Sequence, residues 1–183
     1  MKKTILTFGL ISGAISSLLM VATLPFLHKI GFNKGLVVGY TAIVLSFLLV
    51  FFGIRSYRDN AGNGQITFTK AFAVGISITL ISCVFYVVTW EILYFNFLPG
   101  FMDQYGAHTI AKLKAAGASP AAIQAQVQQL KQYKEMYDNP LYNAAITFLE
   151  PFPIGLVITL LSAAILRKRA QPQPAQSPLP ASY

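Results

Sequence analysis

Four long apolar segments, separated by polar connections, restrict what this chain can fold into. They cover about residues 5–27, 36–54, 71–97 and 144–166. An α-helix rises about 1.5 Å per residue, so roughly 20 apolar residues cross the ~30 Å hydrocarbon core of a bilayer. Charged residues make up 11% of the chain, against roughly 25% in an ordinary soluble domain. The sequence therefore predicts an all-α polytopic membrane protein, with four transmembrane helices in a domain spanning residues 1–169.

A basic, turn-rich connection at Gly53–Phe72 divides the four segments into two pairs. Its Asp59–Gly64 portion favours tight turns, because Asn and Gly tolerate positive φ angles. Gly62-x-Gly64 is not a dinucleotide fingerprint, since the third glycine is missing and no βαβ pattern surrounds it. We therefore expect two helical hairpins joined at this connection.

The start of the chain is also typical of a signal peptide, because Met1-Lys2-Lys3 precedes an apolar run. That run is longer than the roughly 7–15 residues of a signal core, and no A-x-A cleavage site follows it. We expect an uncleaved first helix.

Small residues recur at four-residue spacing in the first two segments, a pattern typical of helices that pack closely in membranes. The alternative is that Gly and Ser are simply common in membrane helices. The predicted helix-packing residues are Gly9, Gly13, Ser17, Gly35 and Gly39.

Residues 98–142 are too polar to span a membrane and carry two helical stripes of apolar side chains. Ser119-Pro120 is typical of a helix start, with Ser as the N-cap and Pro at the first helical position. We expect an extramembrane helical hairpin whose turn is Gly117–Ser119. Its stripes pack on each other, lie on the membrane surface or meet a partner.

The last apolar segment is interrupted by Glu150-Pro151-Phe152-Pro153, which predicts a kink or a late start. Residues 170–183 alternate Pro with small polar residues and cannot form a core, so we expect a disordered tail.

The distribution of Lys and Arg predicts how the protein sits in the membrane. The denser set lies on one side and comprises Lys2, Lys3, Arg55, Arg58, Lys70, Arg167, Lys168 and Arg169. The positive-inside rule then places both termini in the cytoplasm and residues 98–142 on the opposite side of the membrane. Because the basic residues lie at the ends of apolar runs, the formal charge of +8 does not indicate nucleic-acid binding.

Two carboxylates, Glu91 and Glu150, lie within or at the edge of apolar segments. By helical rise, each lies near the outer boundary of the hydrocarbon core. An ionisable residue at this depth is a functional hypothesis, and a pair facing a cavity would share a proton or bind a cation or an amine. The alternative is structural, since Glu150 before Pro151 would also favour a helix N-terminus. The aromatic residues around Glu91, from Tyr86 to Phe97, are typical of an interfacial belt.

The sequence offers no catalytic constellation and predicts no enzyme, no cofactor and no metal site. Cys83 is the single cysteine and lies in an apolar run, where packing is its expected role. His28 and His108 lack convergent ligands, and no G-x-S-x-G elbow is present.

Three stretches resemble the bacterial membrane proteins of domain-of-unknown-function family 4199. They are GIRSYRDNAGNGQITFTKAF, the loop end Asp138-Asn139-Pro140-Leu141, and LEPFPIGLVITLLSAAILRKR. The resemblance covers roughly Lys3 to Arg169. It implies four transmembrane helices in a bacterial inner membrane and brings no established activity or catalytic residue.

Two functional hypotheses follow. The first is a non-enzymatic assembly or interaction protein in the lipid bilayer, with a second copy or another membrane protein as partner. The second is a small oligomeric transporter or cation- or proton-coupled permease that uses Glu91 and Glu150.

Overall fold

The computed structural model describes residues 1–168, and this part of the chain forms seven α-helices, one short 3-10 turn and no β-strand. The tail predicted at residues 170–183 lies outside the described residues. The helices are α1 (Lys2–Thr23), α2 (Leu27–Ala61), α3 (Phe68–Phe97), α4 (Phe101–Ala115), α5 (Pro120–Tyr137), α6 (Pro140–Leu149) and α7 (Phe152–Leu166), with the 3-10 turn at Leu24–Phe26.

Four segments of the described chain are long and apolar enough to cross a membrane, as the sequence predicts. Apolar side chains also cover their outer surface, where Leu18 and Ile165 are 68% and 70% exposed. This pattern is that of a multi-pass membrane protein, since such a surface suits lipid better than water. The four segments are Lys2–Thr23, Asn33–Ala61, Phe68–Phe97 and Pro140–Leu166.

The central connection is shorter than predicted, because α2 continues through the basic residues as far as Ala61. Within this extra helical length, Asp59 pairs with Arg58 at 2.7 Å and with Arg55, one turn earlier, at 3.7 Å. Only residues 62–67 remain outside helices. Beyond them, Thr67 caps α3 by accepting a hydrogen bond from the backbone N–H of Lys70.

The connection between the first two apolar segments is largely helical. α2 already begins at Leu27, and a break at Gly31 (φ 76°, ψ 157°) separates this start from the long apolar helix. Gly permits this conformation because it has no Cβ atom.

The long helices pack as a bundle in which α1 contacts α2 and α3, and α7 contacts α3 and α2. Close approach between α3 and α7 depends on Gly155, where an added Cβ atom would lie 2.4 Å from the methyl group of Thr79. The hydroxyl groups of Thr79 and Thr159 lie 3.0 Å apart at the same crossing. Small residues and interhelical hydrogen bonds are the usual means of helix association in lipid.

One end of the bundle is closed by a short backbone bridge between Ile66 and Lys168. Ile66 donates to the Lys168 carbonyl at 3.0 Å, and Lys168 donates back at 2.9 Å. The 62–67 connection and the end of α7 therefore lie at the same end of the bundle.

At the other end, α4 and α5 contact each other across a short turn, and we refer to these two helices with their turn as the α4–α5 hairpin. Lys134 pairs with Asp103 at 2.6 Å. Gly117 turns the chain with a φ of +73°, and Ser119 caps α5 by accepting a hydrogen bond from Ala122, as predicted.

The last membrane segment is broken where the sequence predicts, between α6 and α7 at Glu150 and Pro151. Pro151 is buried, and Asn139 caps the start of α6. The break places Glu150 at the junction of α6 and α7, where it lines a cavity inside the bundle.

Candidate functional site: an aromatic cavity under the helical hairpin

A cavity of about 500 Å³ lies between the membrane helices and the α4–α5 hairpin. Its walls come from α1 to α6, so segments distant in sequence enclose one space. This volume lies within the roughly 300–1,000 Å³ range of small-molecule sites.

Aromatic side chains form much of the wall. From α2, α3, α4 and α5 these are Tyr40, Tyr86, Trp90, Phe101, Tyr105, Tyr133 and Tyr137. Several pack edge to face, with the ring centroids of Trp90 and Phe101 5.2 Å apart. The wall therefore combines apolar surface with the polarisable ring faces that attract cations.

Glu150 is the only carboxylate among the described lining residues, and no Lys, Arg or His is described there with it. Its Oε2 atom accepts a hydrogen bond from the Tyr86 hydroxyl at 2.9 Å. The side chain is half-buried. The cavity thus contains an acidic group held by one neutral donor, without an opposite charge to compensate it.

The hairpin is fastened to α3 by residues one helical turn apart. Trp90 donates its indole N–H to the Tyr137 hydroxyl at 2.9 Å, and Tyr94 donates its hydroxyl to Asp138 at 2.5 Å. Burial raises the pKa of Tyr137, so its hydroxyl stays neutral at physiological pH. These contacts hold the α4–α5 hairpin over the cavity. The lining residues of α4 and α5 are called the roof of the cavity.

A second set of polar contacts fixes the corner where α5 meets α6. Asn143 is fully buried and donates to the backbone carbonyl of Tyr137 at 3.1 Å. Thr147 donates to the Asn143 side-chain oxygen at 3.1 Å and also lines the cavity. The corner therefore supports both the roof and the wall.

The cavity opens on the flank of the bundle. Three of its lining residues on α2 and α6 are largely exposed: Leu36 (54%), Tyr40 (44%) and Leu149 (58%). α2 and α6 are not packed along each other. The mouth between α2 and α6 is therefore largely apolar, and Tyr105 of α4, which is 38% exposed, also lies at the surface of the cavity.

The two glutamates predicted as a pair do not share this cavity. Glu150 lines it, whereas Glu91 is not among the lining residues described. Its neighbour Trp90 takes the inward position, and successive residues are turned by about 100° around a helix. The Oε1 atom of Glu91 is buried and has no hydrogen-bond partner within residues 1–168.

The predicted packing residues of α1 lie against α3. A Cβ atom on Gly9 would lie 2.9 Å from Ile81, and one on Gly13 would lie 2.7 Å from Phe85. Ser17 accepts a hydrogen bond from Thr89 at 2.7 Å.

The two α2 glycines predicted to pack against another helix lie beside the cavity. Gly35 and Gly39 both line the cavity, and an added Cβ atom on Gly39 would meet nothing within 4 Å. Gly39 is therefore not a helix-packing contact. Its small size leaves the cavity open instead.

Sequence reasoning missed the cavity because the aromatic residues of α3 are also typical of a membrane interface. The sequence feature that could have indicated the cavity is the four-residue spacing of Tyr86, Trp90 and Tyr94, which places them on one helix face. Tyr133 and Tyr137 have the same spacing on α5.

The fold and the cavity define a multi-pass α-helical membrane protein with an internal aromatic site. Residues 7–168 match the model of a family described as a protein of unknown function (DUF4199), and the chain belongs to this family. Neither a curated protein nor a solved structure matches this chain. Within the described residues, no cluster of three or more His, Cys, Asp or Glu side chains is placed to hold a metal ion.

Proposed function

We propose that this protein is a non-enzymatic binding protein or carrier that takes a small, largely apolar molecule from the bilayer into its cavity. The observation that carries this proposal is the aromatic cavity of about 500 Å³ with its mouth on the flank of the bundle. A ligand dissolved in lipid would reach such a mouth without crossing water.

The lining chemistry favours binding over catalysis. The described wall offers hydroxyl groups and one carboxylate, and that carboxylate already accepts a hydrogen bond from Tyr86. Nucleophilic catalysis needs a nucleophile within reach of a base that a third group orients. Cys83 is buried and is not among the lining residues described, which further favours binding.

We place the protein in a bacterial inner membrane as two helical hairpins, with both termini in the cytoplasm and the α4–α5 hairpin in the periplasm. The supporting observation is the basic end of the bundle, where the 62–67 connection meets Lys168. Arg55, Arg58 and Lys70 flank that connection. Positive charge near short connections is retained on the cytoplasmic side.

The single tryptophan of the chain provides a direct test, because Trp90 lines the cavity. Bromine quenches indole fluorescence on contact. An octanol brominated at its chain end, titrated into the protein in phosphatidylcholine nanodiscs, is expected to give saturable quenching of Trp90. Quenching from lipid outside the cavity would instead rise linearly with the amount of probe in the bilayer.

Two variants on α2 distinguish quenching by probe bound in the cavity from quenching by probe in the surrounding lipid. Gly39→Leu adds a side chain beside the cavity, where its Cβ atom would meet nothing within 4 Å. Val37→Phe adds similar bulk on the outside of the same helix, where Val37 is 67% exposed. Saturable quenching should be lost in Gly39→Leu and kept in Val37→Phe. Linear quenching in the wild type would reject the proposal.

Assembly is the second candidate function. Apolar side chains remain exposed on α5, where Val127 is 48% exposed and Met136 is 45% exposed. Another membrane protein or a second copy would cover them. Purification in mild detergent, with molar mass and co-purifying proteins measured together, tests this role. A monomer without a partner would rule it out.

A further inference from the structure

We infer that the ligand is an amphiphilic organic cation, an alkylamine or a quaternary ammonium compound, with its charged head beside Glu150 and its chain toward the mouth. This inference rests on the proposed function, because it names the ligand class of the same cavity. Three features of the wall carry it: the charge of Glu150, the aromatic rings that line the same space and the apolar mouth.

The charge comes first. An isolated carboxylate away from water is costly unless it is paired or protonated. Glu150 has Tyr86 as hydrogen-bond donor at 2.9 Å, and no basic side chain is described in the lining. A cationic head would supply the missing positive charge.

The rings add a second recognition element. Tyr86, Trp90, Tyr133 and Tyr137 all line the space that Glu150 enters. Aromatic faces attract cations within about 6 Å of the ring centroid, and quaternary ammonium groups are commonly held in such cages. A hydrated metal ion fits poorly, because it needs several oxygen ligands, and within the described lining only one carboxylate supplies them.

The mouth selects for an apolar chain. Leu36 and Leu149 flank it, and Leu19 and Met20 also belong to the apolar wall. A neutral lipid-like chain alone would fill this part of the cavity but leave Glu150 unpaired. An anionic head would be repelled by the carboxylate and by the electron-rich ring faces.

The experiment is displacement of the brominated octanol from Trp90 in nanodiscs of zwitterionic phosphatidylcholine. Competitors of equal chain length are octyltrimethylammonium, octanol and octanoate, each compared at its measured concentration in the lipid. We expect octyltrimethylammonium to displace the probe at a concentration at least tenfold lower than octanol, and octanoate to be the weakest. Equal displacement by the cation and octanol would overturn the cation assignment and leave the proposed carrier function intact.

Two isosteric variants make the test specific to Glu150. Glu150→Gln removes the charge and keeps the shape, and it should cancel the tenfold preference for octyltrimethylammonium over octanol. Glu91→Gln is the matched control, since Glu91 is not among the described lining residues, and it should keep the preference. A preference that survives Glu150→Gln would overturn the assignment. If Glu150→Gln does not fold, the comparison of the three competitors on the wild-type protein still tests whether the ligand is a cation.

Discussion

The indole N–H of Trp90 donates a hydrogen bond to the hydroxyl of Tyr137 at 2.9 Å, across 47 positions of sequence. This contact joins a membrane-spanning helix to the α4–α5 hairpin. Both side chains also line the cavity, so the same bond orients its wall and holds its roof.

Tyr137→Phe should loosen the hairpin without unfolding the bundle. The substitution removes the acceptor of the Trp90 bond, and a hydrogen bond of this kind contributes about 1 kcal/mol. We expect amide hydrogen exchange in α5 to accelerate severalfold, while exchange in α3 and α7 stays unchanged. Tyr133→Phe, which leaves the Trp90 bond in place, is the control. Equal acceleration in both variants would contradict the role of this bond.

Docking of the hairpin should weaken at alkaline pH. Burial raises the pKa of Tyr137 above the ordinary value of about 10. A group whose folded-state pKa is raised stabilises the fold fully below its unfolded pKa, and this contribution is lost as pH rises through the folded value. Trp90 fluorescence should therefore be constant near neutral pH and change only above about pH 10.

Neighbouring groups also titrate in this region, so a variant is needed to assign the transition. Burial raises the pKa of Tyr133 too. The alkaline change in Trp90 fluorescence should shrink in Tyr137→Phe and persist in Tyr133→Phe. A change that is identical in both variants would assign the transition to another group.

Gly155→Ala should destabilise the bundle. The added Cβ atom would lie 2.4 Å from Thr79 and 2.9 Å from Phe47, so α7 has to move away from its neighbours. Overpacking of this kind costs about 1–3 kcal/mol. Thermal unfolding in detergent should show a lower midpoint. The matched control, Gly39→Ala, should keep or raise the midpoint, since its Cβ atom meets open space.

Cysteine labelling should establish which end of the bundle faces out. In a Cys83→Ala background the chain has no other cysteine. Ala121→Cys on α5 and Gln65→Cys in the 62–67 connection both replace exposed residues. An impermeant maleimide should label the first in cells with a permeabilised outer membrane, and the second only after lysis. The reverse pattern would invert the proposed orientation.

Local sequence patterns were sufficient to predict most of the helical elements. The apolar lengths predicted four candidate spans, Ser119-Pro120 predicted the start of α5, and Glu150-Pro151 predicted the break before α7. Each depends on residues close together in sequence. The extent of α2 was misjudged because the turn-forming residues begin only at Asn60, whereas the helix continues through the basic residues Arg55 and Arg58 to Ala61.

The sequence by itself determined the hydropathy, the number of candidate spans and the presence of two carboxylates among apolar residues. Only the tertiary structure decided that Glu150 enters a cavity with Trp90 and Tyr137, that Glu91 is not among its described lining residues, and that Gly39 leaves space open. The physical reason is that the hydropathy of a segment depends only on the residues within that segment. A cavity depends on how helices are rotated and packed, and its lining here extends from Ser16 to Glu150.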